Sequence, residues 1–239
     1  MAVSHPPPLR LRLSANFNQR PAGQAIDTLI IHYTGMTSAA AALDRLCDPR
    51  ASVSAHYLID ENGGTWQLVA DSCRAWHAGV SFWRGRTDIN GCSIGIELAH
   101  PGHEFGYRPF PAAQINSLIR LCHSVQARHP IEPSRVLGHA DVAPGRKQDP
   151  GEAFPWRQLA AAGIGLWPPD DATAGHLRQK DLQAALRRIG YDVPDNGRAS
   201  AAVERAVAAF QSHFRPWRID GRADDQTSGR LLWMADRTS

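Results

Sequence analysis

Apolar side chains crowd residues 26–33, with β-branched members at Ile26, Thr28, Ile30 and Ile31. The run is too short for an ordinary helix and predicts a central strand, with His32 at its polar exit. Thr37 or Ser38 is placed to cap a short helix in which Leu43, Leu46 and Cys47 recur at helical spacing before Pro49. Residues 55–60 and 65–69 flank the turn Glu61-Asn62-Gly63-Gly64 and predict a β-hairpin. The stretch 73–90 is dense in Trp, His, Arg and Gly with no period, as expected of an irregular segment that walls a groove rather than of filler. Residues 93–98 alternate, with Ile94, Ile96 and Leu98 on one strand face and Ser93, Gly95 and Glu97 on the other. Pro111 opens a helix running to about His129, whose stripe is Ile115, Leu118, Cys122 and Val125.

Past residue 154 the character changes. Gly163, Gly165 and Trp167-Pro168-Pro169-Asp170-Asp171 read as a linker, assigned to 166–175. Beyond it, Leu182, Leu186 and Ile189 form one helical stripe and Val203, Val207, Phe210 and Phe214 another, each ended by Gly or Pro. A third short helix holds Leu231 and Leu232.

Composition narrows the classes. A chain of 239 residues can bury one substantial core and a small second domain. Its net charge of +3, with Lys and Arg scattered, gives no nucleic-acid footprint and suits an anionic glycan or peptide modestly. No run approaches the roughly 18 apolar residues of a membrane span. Residues 1–24 read as an N-terminal arm that opens Pro-rich and lacks the apolar core of a secretory signal. That favours the cytoplasm, with the periplasm as the alternative if a signal has been removed. Cys47, Cys73, Cys92 and Cys122 lack paired spacing and read as free buried thiols, not as disulfides or a zinc site.

The candidate chemistry centres on residues 137–151, where His139, Lys147 and Asp149 sit among Pro144, Gly145, Pro150 and Gly151. Proline and glycine forbid a regular helix there, so a loop is expected to present all three side chains. Zn²⁺ takes His nitrogen and Asp oxygen, and a catalytic zinc site has three protein ligands and one open position. His139 and Asp149 supply two ligands, and His32 is the best candidate for the third.

Three segments, Ile31-His32-Tyr33-Thr34, Ser93 to Leu98 with Glu97, and Gly138 to Gly151, resemble the zinc-dependent type 2 N-acetylmuramoyl-L-alanine amidases, in the family's order and over roughly residues 25–165. The resemblance implies an α/β catalytic domain, 25–165, with a mixed central β-sheet flanked by helices. It also implies cleavage of the amide between N-acetylmuramic acid, in ordinary or 1,6-anhydro form, and the L-alanine of the stem peptide. His32, His139 and Asp149 would hold Zn²⁺, Glu97 would move protons, and Lys147 would stabilise the oxyanion. The pattern Leu182-Gln183, Gly190-Tyr191, Asn196-Gly197, Ala209-Phe210-Gln211, Asp220-Gly221, Asp224 and Thr227 resembles the three-helix peptidoglycan-binding domain appended to wall hydrolases, placing such a bundle at 176–239. The partners implied are peptidoglycan fragments or sacculus, handled by a monomer in wall recycling or turnover.

Each residue also has a plain reading when taken singly. His32 could be a satisfied strand-end histidine, Lys147 a surface charge, Asp149 a turn former and Glu97 the ion-pair partner of Arg86. Their joint occurrence in order favours the site. His77 is a candidate contact to glycan or peptide, and Arg86 with Asn90 a candidate clamp for a stem-peptide carboxylate. His56 is either a support behind the site or a structural residue. His100, His103, His123, His129, His176 and His213 are taken as having no part in function. The competing functions are a wall-fragment recognition module that does not cut, and a zinc peptidase acting within the stem.

Overall fold

The computed structural model describes residues 9–238, so the first eight residues of the expected Pro-rich arm lie outside the described part. The strands are β1 (Arg10–Leu11), β2 (Phe17–Gln19), β3 (Thr28–Tyr33), β4 (Tyr57–Ile59), β5 (Thr65–Gln67), β6 (Cys73–Ala75), β7 (Ser93–Leu98) and β8 (Val136–Gly138). The helices are α1 (Ala39–Cys47), α2 (Ile89–Cys92), α3 (Ala112–Arg128), α4 (His139–Val142), α5 (Trp156–Ala161), α6 (Gln179–Ile189), α7 (Ala201–Phe214) and α8 (Asp225–Asp236). Six strands form one mixed sheet in the order β1-β5-β4-β7-β3-β8, and β2 pairs with β6 apart from it. Residues 9–24, expected as an arm, are thus built into both sheets through β1 and β2.

The predicted hairpin is present, with Leu58 opposite Trp66 in the antiparallel β4–β5 pair. β7, β3 and β8 are parallel neighbours, with His32 level with Glu97 and Ile31 level with Gly138. Strand alternation then divides the sheet. Leu29, Ile31, Ile94, Ile96 and Leu98 pack with Ile115, Leu118, Cys122 and Val125 of α3 in one core. Ile30 and Leu137 turn to the other face. Ser38 caps α1 by accepting the Ala41 N–H at 3.2 Å, and α3 starts directly after Pro111. All four cysteines are free.

Two expectations change. The segment 137–151 is not wholly loop, because it opens with the end of β8 and the single helical turn α4 before the Pro144-Gly145 break. The stretch 73–90 does not wall a groove with its aromatics either. Trp83 is 3 % exposed and packs edge-on to Tyr191, with ring centroids 5.0 Å apart. Arg84 donates to the carbonyls of Ile189 and Thr238, and its own N–H reaches the Gly190 carbonyl at 3.0 Å.

Those contacts join the C-terminal helices to the sheet. α6, α7 and α8 bury Leu182, Leu186, Ile189, Val203, Val207, Phe210 and Leu231 in the same apolar cluster as Ile30, Trp83, Leu137 and Val142. A core shared in this way makes the helices part of the scaffold under the sheet's second face.

Because the core is continuous, the chain is expected to unfold in one calorimetric transition. Gly190 ends α6 at φ +146°, and a Cβ there would lie 2.6 Å from the Trp83 ring. Gly190→Ala is therefore expected to cost about 2 kcal/mol in urea unfolding, through strain and overpacking together. Two separate transitions would contradict the shared core.

Candidate active site

Period-two alternation on parallel strands builds the site. His32 at the end of β3 and Glu97 on β7 are register neighbours and point to the same face. Gly138 ends β8 beside Ile31, so His139, the first residue of α4, enters the same space. Asp149 returns from the following loop, held where its carbonyl accepts the Ala140 N–H at 2.9 Å.

His32 Nδ1, His139 Nδ1 and Asp149 Oδ2 converge. The two nitrogens are 3.0 Å apart, and they lie 3.0 and 3.1 Å from the carboxylate oxygen. All three residues are buried, and they form the His/Asp group among the described residues able to hold a metal ion. A tetrahedral ion with bonds of about 2.0 Å holds its ligand atoms roughly 3.3 Å apart, so the triangle fits Zn²⁺ with little adjustment.

Hydrogen bonds fix which nitrogen of each ring is free. His139 Nε2 donates to the Ala78 carbonyl at 2.9 Å, leaving Nδ1 with its lone pair turned inward. Behind His32 runs a chain with one consistent direction. Ser93 Oγ donates to the Ile89 carbonyl at 2.6 Å and accepts from His77 Nε2 at 3.2 Å. His77 Nδ1 then accepts from His32 Nε2 at 3.0 Å, so His32 Nδ1 is also unprotonated. A carbonyl or imidazole on the far nitrogen is the usual means by which a metal-binding histidine is oriented.

The electrostatics agree. Burial first, and then His139, push His32 down to about 4, which keeps it neutral near pH 7. Burial would raise Asp149, but His139 and His32 outweigh it and hold the carboxyl well below the usual carboxylate range. Glu97 moves the other way. Burial, followed by the Asp149 charge, pushes it up to about 8, and Lys147 draws it partly back. Glu97 Oε2 is shielded from solvent with no hydrogen-bond partner. A buried oxygen without a donor signals a group the fold leaves for something else.

These residues share a cleft of about 490 Å³ with Tyr33, Thr34, Met36, Arg45, Arg146 and Lys147. Lys147 is exposed there, and Arg146 bridges the Ala78 and Val80 carbonyls at 2.7 and 2.6 Å.

The peripheral expectations fare differently. His77 lines the cleft at 6 % exposure and its Nδ1 lies 3.0 Å from His32 Nε2, so it can orient that ring from the cleft wall. Arg86 binds both Asp27 oxygens at 2.8 and 3.0 Å, and Asn90 accepts the backbone N–H groups of His77 and Ala78 at 3.1 and 2.8 Å. Neither lines the cleft, so the proposed carboxylate clamp is not formed. Nor does Arg86 pair with Glu97. His56 accepts the Gly95 N–H at 3.0 Å and faces the Cys73 carbonyl, bracing β7 beneath Glu97. Sequence reading missed Ser93 and the His77 relay. Gly95 was the available signal, because a Cβ there would stand 2.5 Å from the His77 ring. It also passed over His213 and Tyr191, both bonded to Asp141 of α4.

The N-acetylmuramoyl-L-alanine amidase family model, Amidase_2, matches residues 22–152, and the PG_binding_1 model of peptidoglycan binding domains matches 178–231. The N-acetylmuramoyl-L-alanine amidase AmiD of Escherichia coli is 42 % identical over 224 residues, covering 84 % of this chain and 79 % of that protein. A solved complex of Escherichia coli AmiD with anhydro-N-acetylmuramic acid-L-Ala-D-gamma-Glu-L-Lys superposes with TM-score 0.81 at 38 % identity, covering 92 % of this chain and 93 % of that one. AmpDh3 of Pseudomonas aeruginosa in complex with anhydromuramic pentapeptide gives TM-score 0.82 at 34 % identity, covering 95 % and 98 %.

Two measurements test the geometry. Gly95→Ala should displace His77 and, through it, His32, weakening Zn²⁺ binding about 10- to 100-fold in chelator competition. Unchanged affinity would remove the relay from the account. His32 and His56, which burial pushes down to about 4 and about 3, are neutral when folded but take up protons near 6.5 when unfolded. The unfolded state then binds more protons below that value. Stability of the metal-free protein should be full above pH 6.5 and fall by about 1 kcal/mol per pH unit per imidazole on acidification toward 4, as read from urea midpoints.

Proposed function

The chain belongs to the N-acetylmuramoyl-L-alanine amidase family, and we propose that it hydrolyses the muramoyl-L-alanine amide of anhydro-muropeptides at a zinc site formed by His32, His139 and Asp149. It is an amidase of peptidoglycan recycling. The observation carrying the site assignment is the 3.0–3.1 Å convergence of three buried donors beside the unpartnered Oε2 of Glu97. The preference for the anhydro form rests on the ligands of the two solved relatives, which both carry the anhydro sugar.

A zinc ion bound there supplies Lewis acidity and a water of lowered pKa. Glu97 accepts the proton of the attacking water as the oxygen adds to the lactyl carbonyl carbon. In its ionised form, which the positive charge of a bound Zn²⁺ would favour, its raised proton affinity suits it to receive that proton and to keep it for the next step. The negative charge that develops on the carbonyl oxygen is stabilised by Lys147, whose ammonium already acts electrostatically on Glu97 and His32. Glu97 then delivers its proton to the departing nitrogen as the C–N bond breaks. The products are a muramic acid carboxylate and a peptide with a free alanine amine.

The two competing readings are met by different observations, the recognition module by the site's geometry and the stem peptidase by family membership. A module that only recognises wall fragments has no use for a buried carboxylate with an unpartnered oxygen beside three convergent ligands. A stem peptidase would share the chemistry and differ in the bond cut. We take the chain to act as a monomer. No helix of the described residues is long and apolar enough to cross a membrane. We place the enzyme in the cytoplasm, acting on imported fragments, and recovery of the native protein from the periplasm would overturn that placement.

Hydrolysis of a defined anhydro-muropeptide should stop with chelator and return with Zn²⁺. Mass spectrometry should find an intact peptide beginning with L-alanine, and a shortened stem would point to the peptidase. Glu97→Gln should lower kcat by roughly 10²–10⁴ with Zn²⁺ still bound, and Lys147→Ala by about 10². Wild-type turnover in Glu97→Gln would exclude the assigned proton transfer.

A further inference from the structure

The single turn α4 carries His139, yet four residues form too little helix to hold their own geometry. Its position is set by Asp141, two residues on, which is 2 % exposed. Asp141 Oδ2 accepts the Gly138 N–H at 2.8 Å, closing the start of the turn. The other two donors come from the C-terminal helices. His213 Nδ1 of α7 reaches Oδ2 at 2.7 Å, and the Tyr191 hydroxyl, just after α6, reaches Oδ1 at 2.8 Å.

The donors are themselves fixed. His213 is 4 % exposed, stacked on Trp156 at 3.6 Å and on Phe214 at 3.8 Å between centroids. Tyr191 is 2 % exposed and held edge-on by Trp83. A buried carboxylate is tolerated only when its oxygens are bonded, so these two donors decide whether Asp141, and the turn it caps, can occupy this position. The effect reaches the second ligand as well, because the Ala140 N–H of the same turn bonds the Asp149 carbonyl.

Resting on the zinc reading above, we propose that the C-terminal helical unit is a positioning part of the catalytic centre. His213 and Tyr191 act through Asp141 to aim His139 and to hold the loop of Asp149. The unit's likeness to peptidoglycan binding domains assigns it only contact with the wall. The brace is a second task, performed by its inner face. Neither residue lines the cleft, so both are positioning residues.

The test uses the full chain with Tyr191→Phe, His213→Leu and His213→Asn. Phe and Leu keep bulk and remove the donor, whereas the Asn amide can donate from near the place of Nδ1. In Tyr191→Phe and His213→Leu, Zn²⁺ affinity by chelator competition should fall about tenfold. With a small muropeptide, kcat should fall similarly at unchanged KM. Amide exchange of the metal-free protein should quicken at residues 138–143 while β4 and β5 keep their protection. His213→Asn should recover most of each loss. Folded Tyr191→Phe and His213→Leu with wild-type Zn²⁺ affinity and wild-type exchange overturn the proposal, as does a loss confined to KM on intact sacculi. Should the wild-type chain itself take up no zinc, the metal reading fails, and the exchange measurement alone decides the brace.

Discussion

The parallel register of β7, β3 and β8 is the constraint on which everything else rests. It puts His32 level with Glu97 and ends β8 beside Ile31, so that the carboxyl proposed to move protons and two of the proposed metal ligands reach one point at one end of the sheet. A slip of one residue in either pairing would turn His32 or Glu97 into the α3 core, because successive side chains on a strand face opposite ways. What forbids the slip is that core itself. Leu29, Ile31, Ile94, Ile96 and Leu98 are all completely buried against α3, and each would have to move to the other face. The hydrophobic pattern therefore fixes the catalytic geometry.

From that register the site is supported on two sides by different means. Beneath His32 the support is polar and short-ranged, through His77, Ser93 and the Ile89 carbonyl, and it uses space that Gly95 leaves open. Around His139 the support is the packing of α4 on the C-terminal helices, with one carboxylate at its centre. The first side sets a tautomer and the second sets a position. Both involve polar groups that are costly to bury unpaired, which makes each side demanding about its partners.

Much of this was legible in the sequence, and the rest was hidden for identifiable reasons. The strand of His32, the 93–98 alternation, the hairpin and the α3 stripe follow from local periodicity, which the chain carries in uninterrupted form. The convergence of His32, His139 and Asp149 was readable because their residue types and order are unusual together. Arg86 and Asn90 were misread because an arginine or amide in an irregular segment looks the same whether it faces a ligand or the backbone of its own fold. Asp27 and the N–H groups of His77 and Ala78, their actual partners, lie 12 to 59 residues away along the chain. Trp83 and His213 were misjudged for a related reason. A composition that suggests a linker at 166–175 says nothing about how tightly the units on either side will pack, and it was the shared core that gave both residues their roles.

The site's two carboxylates show how one environment produces opposite chemistry. Asp149 and Glu97 are both removed from solvent, and burial alone would raise both. Asp149 also lies near 3 Å from two imidazoles, and the positive charge these rings carry when protonated favours its carboxylate form, the form a metal ligand takes. Glu97 meets no donor at Oε2 and feels the Asp149 charge in addition to its burial, so its proton affinity rises to about 8. Two acids of nearly equal intrinsic strength are thereby driven apart, one held below the usual carboxylate range and the other raised toward neutrality. Had Oε2 of Glu97 been given a backbone N–H, the charged form would have been favoured and its proton affinity lowered.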